Sequence, residues 1–398
     1  MTKVLLLVGD GMGDWPLQEL GGKTPLEEAY TPALDFLAPL SRVGLCQTIP
    51  ADMPPGSDIA NMTLLGYDPH EFHTGRGPIE AVAMGLETAE DDLVWRCNLV
   101  DVSEFSSSGT MLDYAAGHIG SREGAELMQG LQKELGDSEF SFHAGVQYRH
   151  ILVQKKGIPG RAAGLDITPP HDLLDQSLAG DLEKYKGYPA LWDLVSSAAR
   201  FLQSSGNRTR ARAIWPWGQG GALKLPSFKS RYSLEGAVIS AVDLVKGLGR
   251  AAGMRVVDVP GATGLLETNY QGKLHAAKAF LESGDFVFVH LEAPDECGHM
   301  GCIQDKVEAI SRFDQQIVLP LLEHLRGEEV IIIACCDHLT PIKIRTHARD
   351  PVPFLVYDSR EKASGPETFS EKEAGKTGLF LKQGHDLLPF ALNKKGVK

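Results

Sequence analysis

Four short, strongly apolar runs constrain the fold of this chain: Val4 to Val8 (VLLLV), Asp285 to Leu291 (DFVFVHL), Val330 to Cys336 (VIIIACC) and Val352 to Tyr357 (VPFLVY). Each is bounded by turn residues and too short for a buried helix, so each is predicted to be a strand. Helix-period stretches such as Asp305 to Leu325 (DKVEAISRFDQQIVLPLLEHL) lie between the later runs. Strands alternating with helices predict an α/β fold with a mostly parallel sheet flanked by helices.

From about Gly85 to Asn207 the pattern changes to polar helical segments (Glu123 to Glu134), a strand candidate at His150 to Gln154 and proline-rich linkers around Thr168 to His171. We expect residues 85–207 to be an inserted α+β domain that splits a core of residues 1–84 and 208–398. It would act as a lid, with a hinge near residues 80 and 230. At 398 residues, 43% hydrophobic and 23% charged, the chain is long enough for both parts.

The formal net charge of -13 argues against nucleic acid or an anionic membrane as the main partner, because both are held by clustered Lys and Arg. It leaves room for a small anionic metabolite bound by local basic residues. The six cysteines form no CxxC pair and are read as reduced. The N-terminal apolar run is too short for a signal peptide, and no run approaches 18 apolar residues, so a cytoplasmic location is expected. The sequence does not fix an oligomeric state.

The residues flanking the strands carry the chemistry. Asp10 follows the first run, Asp295 and His299 follow DFVFVHL, Asp337 and His338 follow VIIIACC, and His347 lies just before VPFLVY. Taken singly, an Asp before Gly is ordinarily a turn residue and a lone His a hydrogen-bonded surface or core residue. Recurrence at four strand ends favours a shared site, because open parallel sheets bind ligands at the carboxyl edge of their strands. Asp295 and His299, four apart, share a face if a helical turn begins there. With Ser57 the set offers enough donors for two divalent ions; Asp and His suit Zn or Mn, and Co and Mg also fit.

Ser57, in PPGSDIANM, stands at or near the N-cap of a predicted helix. A bland cap would explain it, yet a hydroxyl there also faces backbone N–H groups able to cradle an anion, and a bound divalent ion would favour its alkoxide as a nucleophile. Candidate cations for a substrate phosphate or carboxylate are Arg76, in a glycine-flanked loop, Lys246, Arg96, His118, Arg149 and His150. Ala374 to Thr377 (AGKT) is a decoy, because the earlier glycine of a phosphate loop would fall on Ser370, and GDGMGD (residues 9–14) lacks the GxGxxG spacing.

In order, LLVGDGMGD, PPGSDIANMTLLGYDP, TGRGPIEA, VHLEAPDECGHMG, CCDHLTP and THARDPVPFLVYD resemble the cofactor-independent phosphoglycerate mutases, specifically the archaeal-type branch of the alkaline phosphatase superfamily. The resemblance spans nearly the whole chain and implies an alkaline-phosphatase-like core. It implies a phosphorylated serine at Ser57, one metal on Asp10, Ser57, Asp337 and His338, another on Asp295, His299 and His347, and a catalytic lysine at Lys246. It implies isomerisation of 3-phosphoglycerate and 2-phosphoglycerate, with two divalent ions and no 2,3-bisphosphoglycerate. Cys302 and Leu339 depart from the family at positions that are not ligands. TPIKIRTHARDPVPF and the C-terminal EKEAGKTGLFLKQGHDL look most like a bacterial sub-branch labelled putative homoserine kinase. A homoserine kinase or a phosphatase would share the serine and metals, and a non-catalytic metal-binding module is the alternative from another class.

Overall fold

A computed structural model describes residues 2–158, 160–204 and 206–393. Residues Met1–His73 with Lys224–Lys398 form one compact unit, and Thr74–Leu223 form a second. Along the chain the first unit opens with β1 (Lys3–Gly9) and β2 (Arg42–Cys46). The second carries β3 (Leu93–Val102), β4 (Met111–Asp113), β5 (Phe140–His143), β6 (Arg149–Gln154) and β7 (Ala213–Gly220). The first resumes with β8 (Gly236–Ile239), β9 (Arg255–Val256), β10 (Phe286–Leu291), β11 (Val330–Cys335), β12 (Val352–Asp358) and β13 (Phe380–Leu381).

The first unit is built on a sheet of order β13-β2-β12-β11-β1-β10-β8-β9. Strands β1, β10 and β11 sit at its centre and are buried almost throughout, which is why they read as continuous apolar runs rather than alternating ones. Parallel pairing aligns Val8 with His290 on one side and with Cys335 on the other. The residues immediately after these strands therefore emerge together at one edge. Strand β12 departs from the parallel pattern: it runs antiparallel to both β11 and β2. Its beginning thus lies beside the ends of its neighbours, with Phe354 opposite Cys335. That reversal brings His347, which precedes its strand, to the edge where the other candidates come after theirs.

The second unit is built on a five-stranded antiparallel sheet, β4-β3-β6-β5, with β7 also paired to β3. Helices Ser121–Leu135 and Pro189–Leu202 pack on it through an apolar cluster that includes Trp95, Trp215, Leu131 and Leu194. The unit begins before Gly85 and ends after Asn207 for two local reasons. The helix Arg76–Ala83 lies so close on β3 that a Cβ at Gly77 would stand 2.6 Å from the Arg96 nitrogen. Ala213–Gly220, a run interrupted by Pro216, pairs with β3 as an edge strand, where proline is tolerated. Among the described residues no helix is long and apolar enough to cross a membrane.

Candidate metal and nucleophile centre

The short loop after β1 brings Asp10 beside the loops after β10 and β11. Gly11 makes this approach feasible: it holds φ at +57°, and a Cβ there would lie 2.6 Å from Asp295 Oδ1. Asp10, Asp337 and His338 converge as one candidate ligand group, and Asp295, His338 and His347 as another, with His338 common to both. His299, on the helix Ala293–Met300, places Nε2 3.2 Å from Asp295 Oδ2 and 3.1 Å from His347 Nε2. Its Nδ1 donates to the Arg345 carbonyl at 3.0 Å, which turns Nε2 toward the cluster.

Ser57 is the first residue of the helix Ser57–Leu64, and Gly56 is the N-cap, one position before the serine assigned to or near that role from sequence. The Ser57 hydroxyl lies 3.0 Å from His338 Nε2. That nitrogen is also 3.5 Å from Asp10 Oδ1 and 3.5 Å from Asp337 Oδ2. Asn61, one turn along the helix, donates from Nδ2 to both the Ser57 carbonyl and Asp337 Oδ2. The serine and the aspartate are therefore held by one amide.

Thr340 links the two ligand groups. Its hydroxyl donates to Asp295 Oδ1 and accepts from His338 Nδ1 at 3.2 Å. Because the single hydroxyl proton goes to the carboxylate, Nδ1 of His338 must carry a proton, leaving the Nε2 lone pair facing Ser57 and the carboxylates. Burial pushes the His338 imidazole down to about 4, so the ring is neutral and fit to ligate. The buried Lys306 ammonium fastens the same frame, donating to the carbonyls of Gly13 and Thr340 and to Asp14 Oδ2 at 2.8–3.1 Å. Thr340→Val keeps the shape and removes the hydroxyl; metal affinity is expected to fall by about 10-fold or more. Thr340→Ser should retain it, and titration calorimetry on the two variants reads the difference.

The electrostatics of the cluster call for a cation. Burial raises the Asp10 carboxyl well above the usual range, and the neighbouring Asp337 and Asp295 raise it further. Burial acts in the same direction on Asp337 and Asp295, but His338 and His290 hold the first below its ordinary value, and His299 and His347 hold the second. Asp10 Oδ1 is buried and has no hydrogen-bond partner among the described residues. An orphaned carboxylate oxygen among two further carboxylates and three imidazoles fits the donor set of a divalent-ion pair.

The other sequence candidates stand on other elements. Lys246, on the helix Asp243–Ala251, pairs with Asp258 at 2.8 Å, and no contact ties it to Ser57 among the described residues. In the second unit Arg76 is helical rather than in a loop, and it shares Glu80 with the buried Arg96 at 3.2 and 2.7 Å. Both guanidinium groups lie over the Trp217 ring, and the Nε of Arg96 and that of Arg149 are buried without partners among the described residues. His118 is exposed in a left-handed turn at φ +53°.

His150 is only 1% exposed, with Nδ1 accepting from the Gly145 N–H, so in this conformation it packs rather than presents itself to a ligand. Burial pushes its imidazole down to about 3. The unfolded chain binds this proton near pH 6.5, so stability is present above that pH and falls as pH drops through 6.5 toward 3. His150→Gln should flatten that acid limb by up to one proton, about 1.4 kcal/mol per pH unit. Urea unfolding across this range measures the slope.

Residues that the sequence did not single out complete the centre. His290 reaches it from within β10, backed by Glu292 and Lys273, and Asn61, Thr340 and Lys306 frame it. The one available signal was a histidine inside an otherwise apolar buried run, since a polar group in such a place needs a partner.

The sequence profile described as 2,3-bisphosphoglycerate-independent phosphoglycerate mutase matches residues 38–207. A Methanosarcina barkeri protein of that description is 45% identical over 404 residues, which cover 99% of this chain and 100% of the relative. A Geobacter sulfurreducens protein described as a probable member is 42% identical over 402 residues, covering 98% and 100%. Among solved structures, a Pyrococcus horikoshii protein matches with a TM-score of 0.80 at 30% identity, covering 98% of this chain and 97% of its own. A cofactor-independent phosphoglycerate mutase from Thermoplasma acidophilum matches with a TM-score of 0.63 at 26% identity, covering 99% of each chain.

Proposed function

Because the chain belongs to the family of 2,3-bisphosphoglycerate-independent phosphoglycerate mutases, we propose that it interconverts 3-phosphoglycerate and 2-phosphoglycerate through a phosphoserine at Ser57. The observation that carries the reading is the Ser57 hydroxyl at a helix N-terminus, 3.0 Å from the buried Nε2 of His338. In the first half-reaction Ser57 Oγ attacks the substrate phosphorus in line, the bond from phosphorus to the glycerate oxygen breaks, and phospho-Ser57 forms. The proton lost by Ser57 is balanced by the one the departing glycerate oxygen takes up. Glycerate then turns, its other hydroxyl attacks phospho-Ser57, and the serine oxygen leaves with a proton.

The helix N-terminus offers backbone N–H groups and a positive dipole end to the phosphoryl oxygens. Asn61 fixes the serine by its carbonyl, and His338 orients the hydroxyl. We assign one divalent ion to Asp10, Ser57, Asp337 and His338 and a second to Asp295, His299 and His347; Mn, Zn, Co and Mg all suit these donors. When bound, such ions would neutralise charge on the transferring phosphoryl group and favour the serine alkoxide. Arg76, Arg96 and Arg149 of the second unit are the cations assigned to the substrate's anionic groups. We place the reaction in the cytoplasm.

The test is a coupled assay for 2-phosphoglycerate from 3-phosphoglycerate on protein supplied with Mn, Zn, Co or Mg, with free phosphate measured in parallel. Isomerisation without 2,3-bisphosphoglycerate is the expected result. Free phosphate in place of isomer would make the protein a phosphatase, and ATP-dependent phosphorylation of homoserine without isomerisation would make it a kinase.

A further inference from the structure

The two carboxylates of the Asp10, Asp337 and His338 group are held in unlike ways. Asp337 is tied down at both oxygens: Oδ1 accepts from the Gly11 and His338 N–H groups at 3.0 and 2.9 Å, and Oδ2 accepts from Asn61 at 2.8 Å. Asp10 has no such set. Its Oδ1 lacks a hydrogen-bond partner among the described residues, and its Oδ2 faces His290 Nε2 at 3.5 Å, nearer than Asp337 Oδ2, which stands 3.9 Å from the same nitrogen. Parallel pairing of Val8 with His290 sets that ring beside the end of β1, two residues before Asp10.

His290 itself is clamped from behind. It is fully buried, and its Nδ1 lies 3.3 Å from Glu292 Oε1 and 3.4 Å from Ser240 Oγ. Glu292 Oε1 accepts from the Ser240 hydroxyl at 2.8 Å and from the Ala241 N–H at 2.6 Å. Its other oxygen pairs with the buried Lys273 ammonium, which also donates to the His290 carbonyl at 2.8 Å. Burying a lysine, a glutamate and a histidine together is costly unless each is satisfied. Here the arrangement leaves one outward-facing atom, His290 Nε2, which has no hydrogen-bond partner of its own among the described residues.

We propose that His290 is a positioning residue for the ion assigned to Asp10: it engages Oδ2 of Asp10 and so commits the opposite oxygen, Oδ1, to the ion, while Glu292, Ser240 and Lys273 fix the ring. This rests on the metal assignment above. Oδ1 is the oxygen that lies 3.5 Å from His338 Nε2, on the side of the other donors. The carboxylate thus has one face for the protein and one for the ion. A partner of this kind sets the direction of a ligand without touching the metal.

The test is calorimetric titration of Mn or Zn into the metal-stripped full-length protein, resolving two ions per chain. His290→Leu is expected to weaken one ion by about 10- to 100-fold and leave the other unchanged. His290→Gln, whose amide nitrogen falls near the position of Nε2, should recover most of the loss. Glu292→Gln, which leaves the imidazole in place but loosens its anchor, should weaken the same ion by a smaller factor and serves if His290→Leu does not fold. A purely structural role would lower the unfolding midpoint and move both affinities together, and that result overturns the proposal. So does wild-type affinity for both ions in His290→Leu and Glu292→Gln. A loss well beyond about 100-fold, the ceiling for residues that do not touch the metal, would overturn it by making His290 a ligand. If wild-type protein takes up no ion, the metal assignment falls and the inference with it; two ions in wild type with unaffected variants remove the inference alone.

Discussion

Ser57→Ala is expected to lower kcat for isomerisation by on the order of 10^4-fold or more, the scale seen when a covalent nucleophile is removed, while leaving the metal-stripped protein as stable as before. The two halves of this expectation come from one structural detail. If Ser57 capped its helix, alanine would cost roughly 1 kcal/mol. Gly56 is the cap, however, and no side-chain cap bond is present to lose. The Ser57 hydroxyl makes its contact with His338 Nε2 instead. Activity and stability should therefore separate cleanly: urea unfolding curves of the two metal-stripped proteins should superimpose, and the coupled assay with metal restored should read near background for the variant. Acid-quenched wild-type protein incubated with substrate should gain the mass of one phosphoryl group, and the variant should not. An alanine variant that isomerises at the wild-type rate would end the nucleophile assignment.

The convergence of Asp10, Asp295, Asp337 and His338 is legible in the sequence because each comes just after a strand, and parallel strands deliver the residues at their carboxyl ends to one edge. His347 joins them on a weaker ground, and the structure supplies the better one. It precedes β12, and only the antiparallel course of that strand brings it to the shared edge. Strand direction leaves no mark in a run such as VPFLVY, since a buried strand is apolar either way. The boundaries of the second unit are obscured for another reason: AIWPWGQG carries Pro216 and two glycines, and pairing with β3 is what makes it a strand. Arg76 reads as a loop residue between two glycines, yet Gly75 and Gly77 are there for close approach to β7 and β3.

Burial of charge is the property that local sequence could not show. Lys273 and Lys306 sit on helices whose patterns would allow either lysine to face solvent, but both are fully buried, each fastening a loop or strand of the centre. Lys246 is the converse. Resemblance singles it out, yet it stands on a helix packed against that of Ser57 with its ammonium committed to Asp258. Local sequence reports residue type; only tertiary packing decides which oxygen an ammonium meets.

Removal of divalent ions with a chelator is expected to abolish isomerisation and to destabilise the first unit. An ion that binds the folded chain alone adds RT ln(1 + [L]/Kd), about 2.7 kcal/mol at a hundredfold excess over Kd. Stripping it removes that increment and leaves Asp10, Asp295 and Asp337 together in a buried cluster, where burial and mutual repulsion already raise the Asp10 carboxyl. Two distinct losses are expected, in rate and in unfolding midpoint, and both should return when Mn, Zn, Co or Mg is added back. Asp337→Asn provides the control for non-specific chelator effects. It keeps the size of a side chain that accepts from Gly11, His338 and Asn61 but removes the charge, so one ion's affinity and most activity should be lost without chelator. Full activity in exhaustively stripped protein, with an unchanged midpoint, would show that the carboxylate and imidazole cluster works without a cation. In that case the orphaned Oδ1 of Asp10 would need another partner.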